Sequence, residues 1–125
     1  MKRIISTADA PSAIGPYSQA VEVGNILYTS GQIAINPDTG ELECGDIQSE
    51  THRVMNNIKA VLRAAGYDFN SIVKTTIFLS DMGNFSAVNE VYAGYFTTDF
   101  PARETVEVAG LPKNVHVEIS VIAVK

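Results

Sequence analysis

Two charged residues sit in runs that otherwise read as strands: Arg103 in PARETVEV (101–108) and Glu118 in VHVEISVIAV (115–124). Both runs are rich in β-branched residues. A guanidinium presents a planar fork of donors that fits a carboxylate, and a nearby Glu can hold or activate a water. An anion pocket with a hydrolytic carboxylate is therefore one reading of the pair. A cross-strand salt bridge, worth up to about 1 kcal/mol if exposed, is the other. Side-chain alternation sets Arg103, Thr105 and Glu107 on one face, and His116, Glu118 and Ser120 on one face. An antiparallel hairpin through AGLPKN (109–114) could place Arg103 near Glu118 and Thr105 opposite His116, both pairs on the open side of a sheet. A slip of one residue would scatter the set, so spacing alone leaves both readings open.

Other chemistry is sparse. Cys44 is the single cysteine, so no internal disulfide forms. It lies in GELECGD (40–46) and reads as an exposed loop thiol, with no basic neighbour in sequence to lower its pKa. One Cys and two distant His, His52 and His116, offer no zinc-ligand spacing, and nothing resembles a carboxylate metal site, so metal catalysis is not expected. His52 reads as a surface residue and His116 as a strand residue rather than a general base. Nine basic against fourteen acidic residues give a net charge of −5, and no cluster of three basic residues exists. Nucleic-acid affinity rests on phosphate neutralisation, so DNA or RNA is disfavoured as the main ligand. No apolar run reaches the length of a signal h-region or a transmembrane helix, and the sequence predicts a soluble, cytoplasmic protein.

The elements that must carry these residues are legible from periodicity. At 125 residues, with 46% hydrophobic and 18% charged positions, the chain reads as one globular domain over 1–125. A helix is predicted from about Asp46 to Ala65, with Thr51, Val54, Met55, Ile58, Val61, Leu62 and Ala65 on its apolar stripe. Asp46 or Ser49 caps its start and Gly66 its end. A second helix fits Asn84 to Phe96, with Phe85, Val88, Tyr92, Tyr95 and Phe96 inward. SQAVEVG (18–24) and NILYTSGQI (25–33) form a hairpin through Gly24-Asn25, and SIVKTTIFLS (71–80) supplies another strand. The order strand, strand, helix, strand, helix, strand, strand predicts an α+β fold, a mixed sheet with two helices on one face. In the last strand Val115, Val117, Ile119, Val121 and Ala123 point toward the helices, while Ile122 and Val124 point away. The uncovered face is then partly apolar and calls for a partner subunit.

Six segments, IGPYSQAV (14–21), YTSGQI (28–33), NPDTGEL (36–42), IVKTTIFL (72–79), FPARETVEVAGLP (100–112) and VEISVIAV (117–124), together resemble the RidA (YjgF-type) family of reactive-intermediate deaminases, over nearly the whole chain. That resemblance implies a chorismate-mutase-like fold assembled as a homotrimer with sites in clefts between subunits. It implies cofactor-independent hydrolysis of enamine and imine acids, such as 2-aminoacrylate and 2-iminopropanoate, to 2-keto acids and ammonia. Such intermediates escape from pyridoxal-phosphate enzymes. By the same resemblance Arg103 holds the substrate carboxylate and Glu118 positions the attacking water, while Tyr17, Ser30, Gly31 and Asn89 line the cleft. Thr105 is a departure, standing where some deaminating members have cysteine.

Read from their neighbours alone, Tyr17 is equally a packed loop anchor and Asn89 a solvated helix residue. Gly31 marks a close approach of backbone or ligand. Two other functions stand beside the deaminase: a regulatory protein, of the translation-inhibitor, ribonuclease or purine-gene type, and a non-catalytic sensor that binds small carboxylates at Arg103. Ammonia release separates the enzyme from the sensor, and salt-sensitive RNA binding would mark the regulator.

Overall fold

The computed structural model describes residues 1–125. Strands β1 (Lys2–Ile5), β2 (Ala20–Val23) and β3 (Ile26–Thr29) precede helix α1 (Ile47–Ala64). Strand β4 (Ile72–Leu79), helix α2 (Phe85–Ala93), β5 (Ala102–Glu107) and β6 (Val117–Val124) follow. The six strands form one mixed sheet in the order β1-β2-β3-β6-β4-β5, and the helices cover one face.

Local chemistry explains most boundaries. Asp46 caps α1, its side chain accepting from the Ser49 amide at 2.8 Å, and Gly66 leaves the helix with a φ of +83° that only glycine adopts cheaply. The predicted apolar stripe is buried from Thr51 to Ala65. Two polar residues that the stripe omitted, Glu50 and Asn57, are also fully buried. The second helix is shorter than predicted. It ends at Ala93, where Gly94 follows, so Tyr95 and Phe96 pack from the turn beyond it. Strand β1 was not foreseen. Its Lys2 and Arg3 project from an edge strand, where charges discourage pairing with another sheet, and a basic pair at the start of a chain carries no strand signal.

The pairing of β5 corrects the sequence reading. β5 does not form a hairpin with β6; it lies parallel to β4, with Thr75 paired to Arg103 and Ile77 to Thr105. β6 pairs antiparallel with β4 on that strand's other edge, Phe78 facing Glu118. Helix α2 joins β4 to β5, and a helical crossover returns the chain in the parallel sense. Arg103 and Thr105 therefore share the helix-covered face with Thr75 and Ile77. Glu118 shares the open face with Phe78, Ser120, Ile122 and Val124. The expected pairing of Arg103 with Glu118 and of Thr105 with His116 within one chain is excluded.

β6 alternates buried and half-buried along its whole length, as its valines and isoleucines required. The half-buried set continues across the open face through Tyr28, paired with Ile122, and through Ile26, paired with Val124. Val23 and Ile4 extend it toward β1 at 45% and 53% exposure. This stripe is apolar without any element of its own chain above it. No helix is long and apolar enough to cross a membrane.

Asn57 ties the loop after β3 to α1, its side-chain amide donating to the Ile33 and Ile35 carbonyls at 3.1 and 3.0 Å. Loss of both bonds inside the core costs about 2 kcal/mol. Asn57→Leu is accordingly expected to lower Tm by roughly 5–10 °C in a scanning-calorimetry trace; an unchanged Tm would mean the loop is held otherwise.

Candidate active site

The sequence-predicted residues gather in two groups on opposite faces of the sheet. Arg103 anchors the first. Its Nη1 donates to Asn89 Oδ1 of α2 at 2.6 Å, and the guanidinium carbon stands 5.2 Å from the centre of the Tyr92 ring and 5.7 Å from that of Phe85. Tyr92 is itself fixed by donating its hydroxyl to Thr75 at 2.9 Å. The cation is thus held over aromatic faces, with one of its five donors engaged by Asn89 and the rest of the fork available. A cavity of about 370 Å³ opens beside it, lined by Asn89, Tyr92, Ala93, Phe100, Pro101 and Arg103. Thr105, two residues on, has a buried hydroxyl with no hydrogen-bond partner.

Glu118 anchors the second group. A cavity of about 510 Å³ lies over it, and Tyr17, Ser30 and Gly31 line the same space. The Gln32 amide and carbonyl bond the Ile119 carbonyl and amide at 2.8 and 3.1 Å, which draws the Gly31 backbone across the Glu118 side chain. A Cβ on Gly31 would stand 2.2 Å from Glu118 Oε2. Glycine lets the Glu118 carboxylate sit against the backbone here by close approach, not by its torsion angles. Ser30 is held by donating its hydroxyl to the Ser18 carbonyl at 2.5 Å. Tyr17 remains about half exposed, its hydroxyl accepting from the Ile14 amide at 3.4 Å. No donor or cation of its own chain meets the Glu118 carboxylate, and burial pushes its pKa up.

Sequence reasoning missed several parts of this wall. Gln19 is buried, and its amide donates to the carbonyls of Thr7, Ala10 and Pro11 while accepting from the Thr7 amide. It thereby holds the segment whose Pro11 and Ser12 close the cavity. Lys113 also lines the cavity, and both it and its neighbour Asn114 have a φ of +56°. Two successive left-handed non-glycine residues mark a costly turn; the dipeptide after Pro112 was the only hint of it.

A third cluster lies apart from both. Glu50, in the first turn of α1, is fully buried. Its Oε2 accepts from the His116 and Val117 amides at 2.7 and 3.2 Å, and its Oε1 meets His116 Nδ1 at 2.7 Å. Cys44 Sγ belongs to the same cluster, and burial together with the negative Glu50 pushes the thiol up to about 11. Cys44 is half-buried against the core, not the exposed loop thiol its polar neighbours suggested. Cys44 and His116, 72 positions apart in sequence, are brought within one cluster by the start of β6. His52 is exposed as expected, its Nδ1 2.6 Å from the Tyr95 hydroxyl.

Relatives carry both the fold and the sequence. A RutC family protein of Pyrococcus horikoshii is 54% identical over 125 residues, covering 100% of this chain and 99% of the relative. Human 2-iminobutanoate/2-iminopropanoate deaminase is 47% identical over 125 residues, covering 100% and 91%. The crystal structure of Escherichia coli TdcF with bound serine superposes with a TM-score of 0.94 at 44% identity, covering 98% of each chain. The family model described as endoribonuclease L-PSP matches residues 7–125, and the chain belongs to that family, the YjgF/RidA family.

Proposed function

We propose that this protein is a 2-iminobutanoate/2-iminopropanoate deaminase that works as a homotrimer, with each site completed between two subunits. The observation that carries the reading is a pair of half-sites. One is a preorganised cation with a free fork, and the other is a desolvated carboxylate without a partner. They lie on opposite faces of one sheet. A second copy seated on the apolar open face would bring its own Arg103 to this Glu118. The sequence identity to named imine deaminases supports the chemistry, and the serine seen in TdcF supports a small amino-acid-like ligand.

In this site Arg103 binds the carboxylate of an iminium acid through its free N–H groups, and Asn89 keeps the fork turned toward it. Glu118 takes a proton from a water as that water's oxygen bonds to the iminium carbon. The resulting carbinolamine receives the proton from Glu118 on nitrogen. The C–N bond then breaks and its electrons leave with ammonia. Glu118 takes the hydroxyl proton as the keto group forms and passes it to the departing ammonia, which leaves as ammonium. The product is a 2-keto acid. A carboxyl whose pKa is raised by burial suits both halves of this relay, because it gives up and regains the proton nearer neutrality than an ordinary Glu. No nucleophilic side chain is needed, since a protonated imine is already electrophilic, and a threonine at 105 is compatible with a pocket wall.

A coupled assay tests this reading. A pyridoxal-phosphate dehydratase supplies 2-aminoacrylate from serine, and the protein is expected to speed pyruvate formation. Arg103→Ala should lose at least about 100-fold in kcat/KM, as expected when one partner of a desolvated charge pair is removed. No acceleration by the folded wild type would overturn the proposal and favour a non-catalytic carboxylate sensor.

Glu118→Gln separates chemistry from folding. The folded state raises the pKa of this acid, so its ionisation destabilises the fold as pH rises above the ordinary carboxylate range. The amide variant should therefore be inactive yet unfold at a higher temperature than wild type at pH 7. In the wild type the acid limb of the kcat/KM profile should fall at a pH above that of an ordinary Glu. A variant both inactive and less stable would show Glu118 to be structural.

Gly31→Ala makes a finer cut. The new methyl overlaps the Glu118 side chain from Cγ to Oε2 and meets no backbone atom among its three nearest neighbours, so the carboxylate must swing aside while the fold and oligomer should persist. A misplacement of about 1 Å is expected to cost on the order of 100-fold in activity. Full activity in Gly31→Ala would show that the carboxylate position is not critical.

A further inference from the structure

The cluster of Cys44, Glu50 and His116 lies outside the proposed deaminase site and takes no part in it. We propose that these three side chains form a zinc site, with a fourth coordination position open to solvent.

Three segments converge there: the turn before α1 gives Cys44, the first turn of α1 gives Glu50, and the residue before β6 gives His116. One ligand atom from each, sulfur, nitrogen and oxygen, lies within 4.8 Å of the other two. Mixed S, N and O donors suit zinc and its first-row neighbours; calcium and magnesium prefer oxygen alone. Three protein ligands with one free position is the arrangement of an open zinc site.

The orientation of Glu50 is set before any metal arrives. Its Oε2 is fixed by the two backbone amides of His116 and Val117, at 2.7 and 3.2 Å. Backbone donors on one carboxylate oxygen orient the other, as outer-shell bonds do for metal ligands. The oxygen left, Oε1, faces His116 Nδ1, and Cys44 Sγ lies within 4.8 Å of the Glu50 and His116 ligand atoms. The close contact of His116 Nδ1 with Glu50 Oε1 now fills part of the space the ion would take.

Binding takes up the ion as neutral imidazole and thiolate, with one proton released. The Nδ1 proton moves to Nε2 on the solvent side of a half-exposed ring, and the thiol proton leaves to water. Thiolate and carboxylate together then offset the two positive charges, so the buried Glu50 gains a charge partner without an added anion. The bound ion pins the loop that carries Cys44 to α1 and to the start of β6. Unfolded chain offers no such preformed set, so occupancy stabilises the fold.

Cobalt(II) serves as the spectroscopic probe. The full-length protein, freed of metal by chelation, is titrated with Co²⁺ and then with Zn²⁺. One equivalent per chain is expected, with a sulfur-to-cobalt charge-transfer band that Zn²⁺ abolishes. Cys44→Ser should lack the band, and His116→Ala should bind at least about 10-fold more weakly. Circular dichroism checks that both variants are folded. Zn²⁺ should raise the Tm of the wild type by several degrees and leave the Cys44→Ser Tm unchanged. Cobalt binding without the sulfur band, equal binding by wild type and Cys44→Ser, or no binding at all would each overturn the proposal.

Discussion

The parallel pairing of β5 with β4 constrains everything else about the site. Because Thr75 and Arg103 are ladder partners, Arg103 inherits the face on which Thr75 meets Tyr92 of α2. Because β6 lies on the other edge of β4 with Phe78 opposite Glu118, that carboxylate inherits the open face. Side-chain alternation has a period of two and no local adjustment reverses it. A cation and a carboxylate suited to one reaction are thereby held on opposite sides of a single sheet.

Each half is costly in isolation, and each is held by ordinary packing. Arg103 is spread over two aromatic rings and one amide, which orients it while leaving donors unused. Glu118 is half-buried under a glycine backbone, which raises its pKa, and no group of its own chain pairs with it. The open face between Ile4 and Ile122 is apolar where an isolated sheet would be wet. In the proposed trimer a neighbouring copy meets this open face. It covers the apolar stripe, and the substrate carboxylate and water occupy the polar gap that remains.

Much of this was legible in the amino-acid sequence where a single local rule decides. Alternation placed the valines of β6 inward and Glu118 outward. The 3.6-residue stripe, Asp46 and Gly66 bounded α1 nearly to the residue. Pairing was not legible in the same way, because the short AGLPKN segment invites a hairpin. Yet the β4-α2-β5 order already carried the contrary signal, since a helix between two strands returns the chain parallel. Tertiary proximity was the least legible. Glu50 sits on the buried stripe of α1 as a charged residue with no sequence neighbour to satisfy it, and only the fold brings His116 and Cys44 to it. Gln19 and the left-handed Lys113 likewise act through contacts that no spacing rule records.

Subunit complementation tests the central claim most directly. Arg103→Ala and Glu118→Ala chains, each inactive alone, are unfolded together in equal amounts and refolded as mixed oligomers. If each site draws Arg103 from one chain and Glu118 from its neighbour, random assembly in a closed ring leaves about a quarter of the sites intact, and about that fraction of wild-type deamination should return. If mixed oligomers form and no activity returns, the two residues do not meet across an interface and the account is wrong.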